Sequence, residues 1–190
     1  MERIRVEKSP PLKGNVRISG AKNSALPILA ASLLGTEDII LEDVPRLKDV
    51  DIICEVLASL GAKVESLDKG VIRINSANID NYETPYELMS KMRASFLVMG
   101  PLLTRLGKTK TSLPGGCAIG TRPIDLHLKG FRALGAVIDV DHGNIGAYAE
   151  KLTGDKIYLD FPSVGATENI MMAAVMAEGE TIIDNAAMEP

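Results

Sequence analysis

The sequence predicts an α/β protein built from copies of one βαβαββ unit, with buried parallel helices inside and sheets outside. Two internal repeats carry this prediction. Three helix-like apolar stretches end at Gly35, Gly107 and Gly179, a constant 72 residues apart, and each is followed by a short β-like run. A second, amphipathic pattern recurs at an offset of 74 residues and ends both times in Leu-Gly-Ala. Regular self-similarity of this length is typical of a structural repeat.

The first helix of each unit is the apolar one. Apolar residues occupy nearly all of its faces, and a helix of that kind belongs in a core rather than on a surface. The apolar stretches are Leu26–Ala31, Phe96–Met99 and Ile170–Val175, and the strands predicted after them are 39–41, 111–113 and 181–183. We therefore expect three parallel helices, buried on every face, at the centre of the fold.

The second helix of each unit is amphipathic, so we expect it in the outer layer with the strands. It spans 51–60 in the first unit and 125–134 in the second, and a strand follows directly in both. Further strands are predicted at Val71–Ile74 and Ile145–Ala149, and strands that precede a unit at Val16–Ile18 and Ile157–Leu159. The expected organisation is an N-terminal segment, residues 1–20, and a repeat domain, residues 21–190, whose third unit is incomplete.

Parallel inner helices would bring their N-termini together. The equivalent positions at these starts hold Lys22 with Asn23, Arg93 to Ser95, and Gly165 to Thr167. Helix N-termini carry unpaired N–H groups and partial positive charge, so three of them beside a lysine and an arginine predict a site for phosphate or carboxylate. The alternative for Lys22 and Arg93 is ordinary solvated surface charge.

A glycine-rich run from Pro114 to Pro123 carries the second candidate site. It holds three glycines around Cys117, so it is a loop whose backbone can approach a ligand closely. The stretch from Arg105 to Arg132 carries six Lys or Arg against one acid, Asp125. Positive charge favours the reactive thiolate and attracts anions. A lone loop cysteine without function is the alternative.

Composition narrows the possible functions. A net charge of -4, a pI near 5.3 and 4% aromatic residues argue against a nucleic-acid partner. Cys54 and Cys117 lie in different contexts, which indicates a reducing, cytoplasmic setting rather than a disulfide framework. The apolar runs fall short of the roughly 20 residues of a membrane span, so we expect no membrane insertion. No P-loop, metal-ligand cluster or nucleophile elbow is present, and His127 is interpreted as a helix-face residue rather than a base.

Four ordered motifs resemble a known family. They are Ser19–Pro27, Met92–Ser95, Leu113–Gly120 followed by Arg122–His127, and Ser163–Thr167. Together they are similar to the UDP-N-acetylglucosamine 1-carboxyvinyltransferases, a family of enolpyruvyl transferases. The resemblance implies an inside-out α/β barrel, and a reaction that moves the enolpyruvyl group of phosphoenolpyruvate to the 3′-hydroxyl of UDP-N-acetylglucosamine without metal or organic cofactor. It also implies that this chain corresponds to the N-terminal part of longer enzymes, in which residues 1–20 pack with a second domain.

The same resemblance assigns site residues. Cys117 matches the family's loop cysteine, the proton donor to phosphoenolpyruvate, its covalent partner and the target of fosfomycin. Lys22 and Asn23 match positions at the phosphoenolpyruvate and sugar sites. The positions that match contacts to the nucleotide sugar and its diphosphate are Arg93, Arg122, Pro123, Ile124, Asp125, Leu126, Phe161, Pro162, Ser163 and Val164. The family's catalytic aspartate and further arginines would lie beyond residue 190, so the fragment alone is not expected to turn over.

Two other interpretations stay open. The shikimate-specific enolpyruvyl transferase shares the repeat, although the glycine–cysteine loop and Arg122–Leu126 favour the nucleotide-sugar enzyme. A non-catalytic module that only captures a nucleotide sugar or another anion is the alternative from a different class.

Overall fold

The alternation of helices and strands follows the predicted repeat. The computed structural model describes residues 3–90, 92–112 and 124–188, without the side chains of 93–95. Its helices are α1 Lys22–Ala31, α2 Lys48–Ser59, α3 Tyr86–Met89, α4 Met99–Leu106, α5 Asp125–Ala133 and α6 Val164–Ala174, with 3-10 helices at Ser32–Leu34 and Arg93–Val98. Its strands are β1 Asp38–Leu41, β2 Lys63–Asp68, β3 Val71–Asn75, β4 Lys108–Ser112, β5 Val137–Asp141, β6 Asn144–Tyr148, β7 Lys156–Tyr158 and β8 Ile182–Asp184. Among the described residues, no helix has the length and apolar character needed to cross a membrane.

Two three-stranded antiparallel sheets share one strand order, as copies of a unit should. In the first sheet β3 lies between β1 and β2, and Ile74 is opposite Ile39. In the second sheet β6 lies between β4 and β5, and Ala147 is opposite Thr109. The last strand of each unit is therefore the central strand of its sheet.

The strand that precedes each unit differs between the copies. In the third copy β7 pairs in parallel with β8. In the second copy the strand is reduced to one parallel bridge between Glu83 and Lys110, which the sequence analysis missed. The predicted strand at Val16–Ile18 is wrong: these residues pair with no described strand, and Val16 and Ile18 are 81% and 82% exposed. An alternating pattern becomes a strand only where a neighbour takes its backbone hydrogen bonds.

The helices supply most of the buried apolar surface. α1 and α2 pack with β3 in one cluster, in which Leu29 and Ile53 are fully buried. α5 and α6 pack with β6 in a second cluster around Phe131 and Ile170. The sheets contribute one face to these clusters, and β2 and β5 leave most of their residues exposed. Helices inside and sheets outside is thus the observed arrangement, as the sequence predicts.

Two of the inner helices are not buried on every face, so that expectation is wrong. Ile28 of α1 and Met171 of α6 are 51% and 53% exposed. Between these two helices runs an open, mainly apolar groove of about 560 Å³, which Pro27 and Val164 also line. We call it the α1–α6 groove. Apolar helix faces are typical of packing against another element, and no described residue of this chain covers these two faces.

Arg105 joins the first two units at the C-terminal ends of their inner helices. Its Nη1 group donates to the backbone oxygens of Leu33, Gly35 and Ser76 at 2.6, 3.1 and 2.8 Å. Leu33 and Gly35 lie at the C-terminal end of the first inner helix, where the helix leaves carbonyl groups unpaired and negatively polarised. Partial burial lowers the pKa of Arg105 from its ordinary value. The arginine therefore caps one unit from the last turn of the next.

Candidate anion-binding site

The N-terminal ends of the inner helices surround one cavity of about 420 Å³. We call it the N-terminal cavity. Its lining comes from α1, the 3-10 helix Arg93–Val98, α5 and the start of α6: Asn23, Leu26, Pro27, Phe96, Leu97, His127, Ser163, Val164, Gly165 and Glu168. The sequence analysis predicted that these helix starts gather in one place, and the structure confirms it.

The start of α6 lines the N-terminal cavity with the first turn of a capped helix. Ser163 is its N-cap, and the Oγ accepts a hydrogen bond from the Ala166 N–H at 3.4 Å. The Ser163 carbonyl accepts from both the N–H and the hydroxyl of Thr167, at 2.9 and 2.8 Å. The N–H groups of Val164 and Gly165, the first two residues of the helix, have no acceptor among the described residues. Such groups, at the positive end of the helix dipole, favour a phosphate or carboxylate.

The start of α1 places two predicted residues differently. Asn23 lines the N-terminal cavity. Lys22 is not among the lining residues, and its Nζ lies 2.9 Å from Asp49 Oδ2 in the first turn of α2. Ala21 at the N-cap offers no side-chain hydrogen bond, so the first turn of α1 keeps donors for a ligand. The sequence analysis did not identify Asp49, because nothing in its local pattern indicates a partner on α1.

The start of α5 contributes a residue that the sequence analysis set aside. Ile124 and Leu126 are buried in the second core cluster and do not line the cavity, while Asp125 is exposed in the first turn. His127 is 4% exposed and forms part of the cavity wall. Its ring meets the Phe96 ring edge-to-face with centroids 5.0 Å apart. A histidine that the helical pattern places on an ordinary helix face is therefore part of the site.

A buried asparagine holds this histidine. Asn169 of α6 is fully buried, and its Nδ2 lies 3.1 Å from His127 Nδ1. The same amide accepts from Gly100 N at 2.8 Å and donates to Phe96 O at 3.1 Å. A polar residue within a helix predicted to be apolar on all faces was the available signal for this contact.

Several predicted site residues lie outside the described residues. Cys117, Arg122 and Pro123 belong to the range 113–123, which the structure does not describe. Arg93 begins the 3-10 helix, and its side chain is not described. Phe161 and Pro162 are exposed just before the α6 N-cap and do not line the N-terminal cavity.

The second cysteine is unlike a reactive thiol. Burial, followed by the charges of Asp51 and Glu55, raises the pKa of Cys54 to about 11. The thiol is therefore protonated at neutral pH and a poor nucleophile. In residues 3–90, 92–112 and 124–188, no group of three or more His, Cys, Asp or Glu side chains is arranged to hold a metal ion.

Fold and cavity together define an α/β repeat protein with a cavity at the N-termini of its inner helices. The family model described as EPSP synthase (3-phosphoshikimate 1-carboxyvinyltransferase) matches residues 6–190. The chain therefore belongs to the EPSP synthase family.

Curated relatives carry a more specific name. A UDP-N-acetylglucosamine 1-carboxyvinyltransferase of Finegoldia magna is 70% identical over 100% of this chain and 45% of that protein. Proteins of the same name from Caldanaerobacter subterraneus and Synechocystis are 65% and 54% identical, over 97% and 98% of this chain. The chain spans about 44% and 43% of those two proteins, so it corresponds to somewhat less than half the length of each relative.

Solved structures show the same fold at low identity. The enolpyruvyl transferase NikO from Streptomyces tendae superposes with a TM-score of 0.80 at 20% identity, over 94% of this chain and 42% of that one. EPSP synthase from Acinetobacter baumannii superposes with a TM-score of 0.70 at 18% identity, over 93% of this chain and 41% of that one. These likenesses confirm the predicted enolpyruvyl transferase fold.

Proposed function

We propose that this chain is the substrate-binding part of a UDP-N-acetylglucosamine 1-carboxyvinyltransferase. The complete enzyme would transfer the enolpyruvyl group of phosphoenolpyruvate to the 3′-hydroxyl of UDP-N-acetylglucosamine and release phosphate, the first committed step of peptidoglycan synthesis. The observation that carries the proposal is the 70% identity, over the whole chain, to a relative of that name. Because both substrates are cytoplasmic metabolites, we also propose a cytoplasmic enzyme.

The N-terminal cavity supports the binding part of this proposal. Both substrates are polyanions, and the cavity brings together the first turn of α6, with Val164 and Gly165, and Asn23 of α1. The first-turn N–H groups of α6 suit the diphosphate of the nucleotide sugar. Lys22, Arg93 and Arg122 would add positive charge, and fixed positive groups also stabilise the charge that develops as phosphate leaves.

Cys117 is proposed as the catalytic residue. The thiol would donate its proton to the methylene carbon of phosphoenolpyruvate, and its sulfur would also form the covalent adduct with the substrate. The surrounding excess of Lys and Arg in the sequence favours the thiolate that remains. Addition of a hydroxyl to the enol carbon and loss of phosphate change no overall oxidation state. The proposed reaction therefore includes no redox cofactor.

The domain organisation is also proposed. Each second helix contacts two inner elements: α2 packs on α1 and on the 3-10 helix Arg93–Val98, and α5 packs on α6 and contacts Phe96 of that same 3-10 helix. The remaining pair of inner helices is α1 with α6, and the α1–α6 groove lies between them. We propose that another amphipathic helix, equivalent to α2 and α5, completes the third unit in this groove.

The N-terminal segment, residues 1–20, would pack with the other half of the enzyme. Ile4 and Val6 alternate with charged residues and are 95% and 87% exposed. An apolar alternation of this kind is typical of a strand that pairs elsewhere in a complete protein.

Fosfomycin labelling tests the catalytic assignment. In the full-length enzyme, Cys117→Ser should abolish covalent labelling, because the thiolate attacks the epoxide. Cys54→Ser is the matched control and should label as the unmodified enzyme does, since the raised pKa of Cys54 keeps that thiol protonated. Persistent labelling of Cys117→Ser at the same stoichiometry would contradict the proposal.

Acceptor choice separates the alternatives. The full-length enzyme should form product from UDP-N-acetylglucosamine and none from shikimate 3-phosphate, whereas the reverse would identify the shikimate-type enzyme. The 190-residue chain should bind UDP-N-acetylglucosamine without releasing phosphate from phosphoenolpyruvate. If the full-length enzyme also binds without turnover, the non-catalytic module is the correct interpretation.

A further inference from the structure

Asn169 lies at the centre of the packing between the elements that form the N-terminal cavity. It is fully buried on α6. Its Oδ1 is 2.8 Å from Gly100 N, and its Nδ2 is 3.1 Å from both Phe96 O and His127 Nδ1. One side chain therefore connects α4, the 3-10 helix Arg93–Val98 and α5 to α6.

The partners fix the orientation of the amide. The backbone N–H of Gly100 can only donate, and the carbonyl of Phe96 can only accept. The Asn169 oxygen must therefore face Gly100 and the NH2 group must face Phe96. The second hydrogen of that NH2 group then points at His127 Nδ1, which has to accept it. A neutral imidazole that accepts at Nδ1 carries its proton on Nε2.

The protonated nitrogen lies near the first turn of α6. A Cβ atom built on Gly165 would lie 3.5 Å from His127 Cε1 and 3.7 Å from Nε2. Gly165 is in the first turn of α6, and both residues line the N-terminal cavity. The Nε2–H group is thus beside the helix N–H groups that favour an anion.

The close approach of α4 and α6 depends on Gly100. A Cβ atom there would be 2.3 Å from the backbone oxygen of Asn169 and 2.6 Å from its Oδ1, closer than Cβ atoms approach other atoms in proteins. A glycine at this position lets the backbone donor reach the amide. A fully buried asparagine is costly unless all of its polar atoms are paired, and here they are.

We infer that Asn169 is a positioning residue, which acts through Nδ1 to hold His127 as a neutral Nε2–H donor toward an anion in the N-terminal cavity. Under the proposed function that anion is the diphosphate of UDP-N-acetylglucosamine, so the identity of the ligand depends on that proposal. The tautomer of His127 does not depend on the proposed function.

The first experiment measures the tautomer without a ligand. The chain has two histidines, His127 and His142, so long-range proton–nitrogen correlation spectra contain two ring systems, and His142→Gln assigns them. At about pH 8, where an ordinary imidazole is neutral, His127 should show an unprotonated Nδ1 and a protonated Nε2. Asn169→Asp replaces the donor by an acceptor and should move the proton to Nδ1.

Two results would overturn the positioning role. One is a proton on Nδ1 in the unmodified chain, and the other is an unchanged tautomer in Asn169→Asp. If Asn169→Asp does not fold, the spectrum of the unmodified chain decides alone, because it already distinguishes the two tautomers.

The second experiment adds UDP-N-acetylglucosamine. The His127 Nε2–H resonance should shift on saturation, and His127→Gln and Asn169→Asp should each weaken binding about tenfold to a hundredfold, as expected for one lost hydrogen bond to a charged group. Because Asn169 acts through His127, the two losses should not add. The variant that carries both His127→Gln and Asn169→Asp should have at most about twofold lower affinity than the single variant with the lower affinity. Asn185→Asp is the matched control, since Asn185 Nδ2 donates to Leu159 O away from the cavity, and its binding should be unchanged.

The outcomes separate the two proposals. Fully additive losses, or binding without a shift of the His127 resonance, would overturn the action of Asn169 through His127 on the ligand. No binding of UDP-N-acetylglucosamine by either the 190-residue chain or the full-length enzyme would overturn the proposed function and the identity of the ligand, while the tautomer measurement would still decide the positioning role.

Discussion

The ammonium group of Lys22 lies 2.9 Å from the Asp49 carboxylate, so the lysine at the start of α1 is paired with the first turn of α2. Both side chains are partly exposed, and exposed ion pairs contribute at most about 1 kcal/mol to stability. Lys22→Gln should therefore change the free energy of unfolding by less than about 1 kcal/mol. It should weaken phosphoenolpyruvate binding by the full-length enzyme about tenfold or more, because the lost charge no longer attracts the substrate phosphate.

Lys63→Gln is the matched control for this prediction, because Lys63 is an exposed lysine at the start of β2 and does not belong to the start of an inner helix. Calorimetric titration and urea unfolding measure the two quantities. Equal affinities for Lys22→Gln and Lys63→Gln would contradict a role of Lys22 in substrate binding.

The N-cap of α6 should couple stability to ligand binding. Ser163→Ala removes the oxygen that accepts from the Ala166 N–H. Because the bond is long, at 3.4 Å, we expect a loss at the low end of the range for N-caps, about 0.5 kcal/mol. UDP-N-acetylglucosamine should also bind several-fold more weakly, since the first turn of α6 is less well ordered. Ser66→Ala, at an exposed position on β2, should change neither quantity.

The repeat made much of this fold predictable from the sequence. Glycines at a 72-residue spacing marked the ends of inner helices, and the two sheets that follow have the same strand order. The strand predicted at Val16–Ile18 failed because alternation records the faces of a strand and not the presence of a partner. The prediction that the inner helices are buried on every face failed at Ile28 and Met171 for a related reason. An apolar helix face does not show which part of a protein covers it.

The site was predictable only in part. The gathering of helix N-termini followed from the repeat, which placed Asn23 and Gly165 correctly at one cavity. The pair of His127 and Asn169 did not follow, because the two residues are 42 positions apart and meet only through the packing of α5 on α6. Local periodicity assigns a residue to a helix face, whereas a buried hydrogen bond of this kind depends on how two helices dock.

Arg105 should be important for stability, far from the proposed chemistry. Arg105→Met leaves the carbonyl groups of Leu33, Gly35 and Ser76 without their shared donor, so we expect a loss of about 3 kcal/mol. Arg132→Met is the matched control, because Arg132 lies in the last turn of α5 and is exposed. Urea unfolding followed by circular dichroism should show a lower midpoint only for Arg105→Met. Equal midpoints would show that the arginine contributes no more than a solvated side chain.

The buried thiol gives a prediction about alkaline pH. Burial raises the pKa of Cys54 from 9.0 to about 11, so the folded chain holds this proton more tightly than the unfolded chain does. The contribution to stability is then complete below about pH 9 and is lost as the pH rises toward 11. In a Cys117→Ser background, where Cys54 is the sole cysteine, the unfolding free energy should fall between pH 9 and pH 11. A further Cys54→Ala change should reduce that fall, and since lysines and tyrosines titrate in both variants, the difference between the two curves isolates the thiol. Parallel curves would mean that Cys54 ionises equally easily in the folded and unfolded chains.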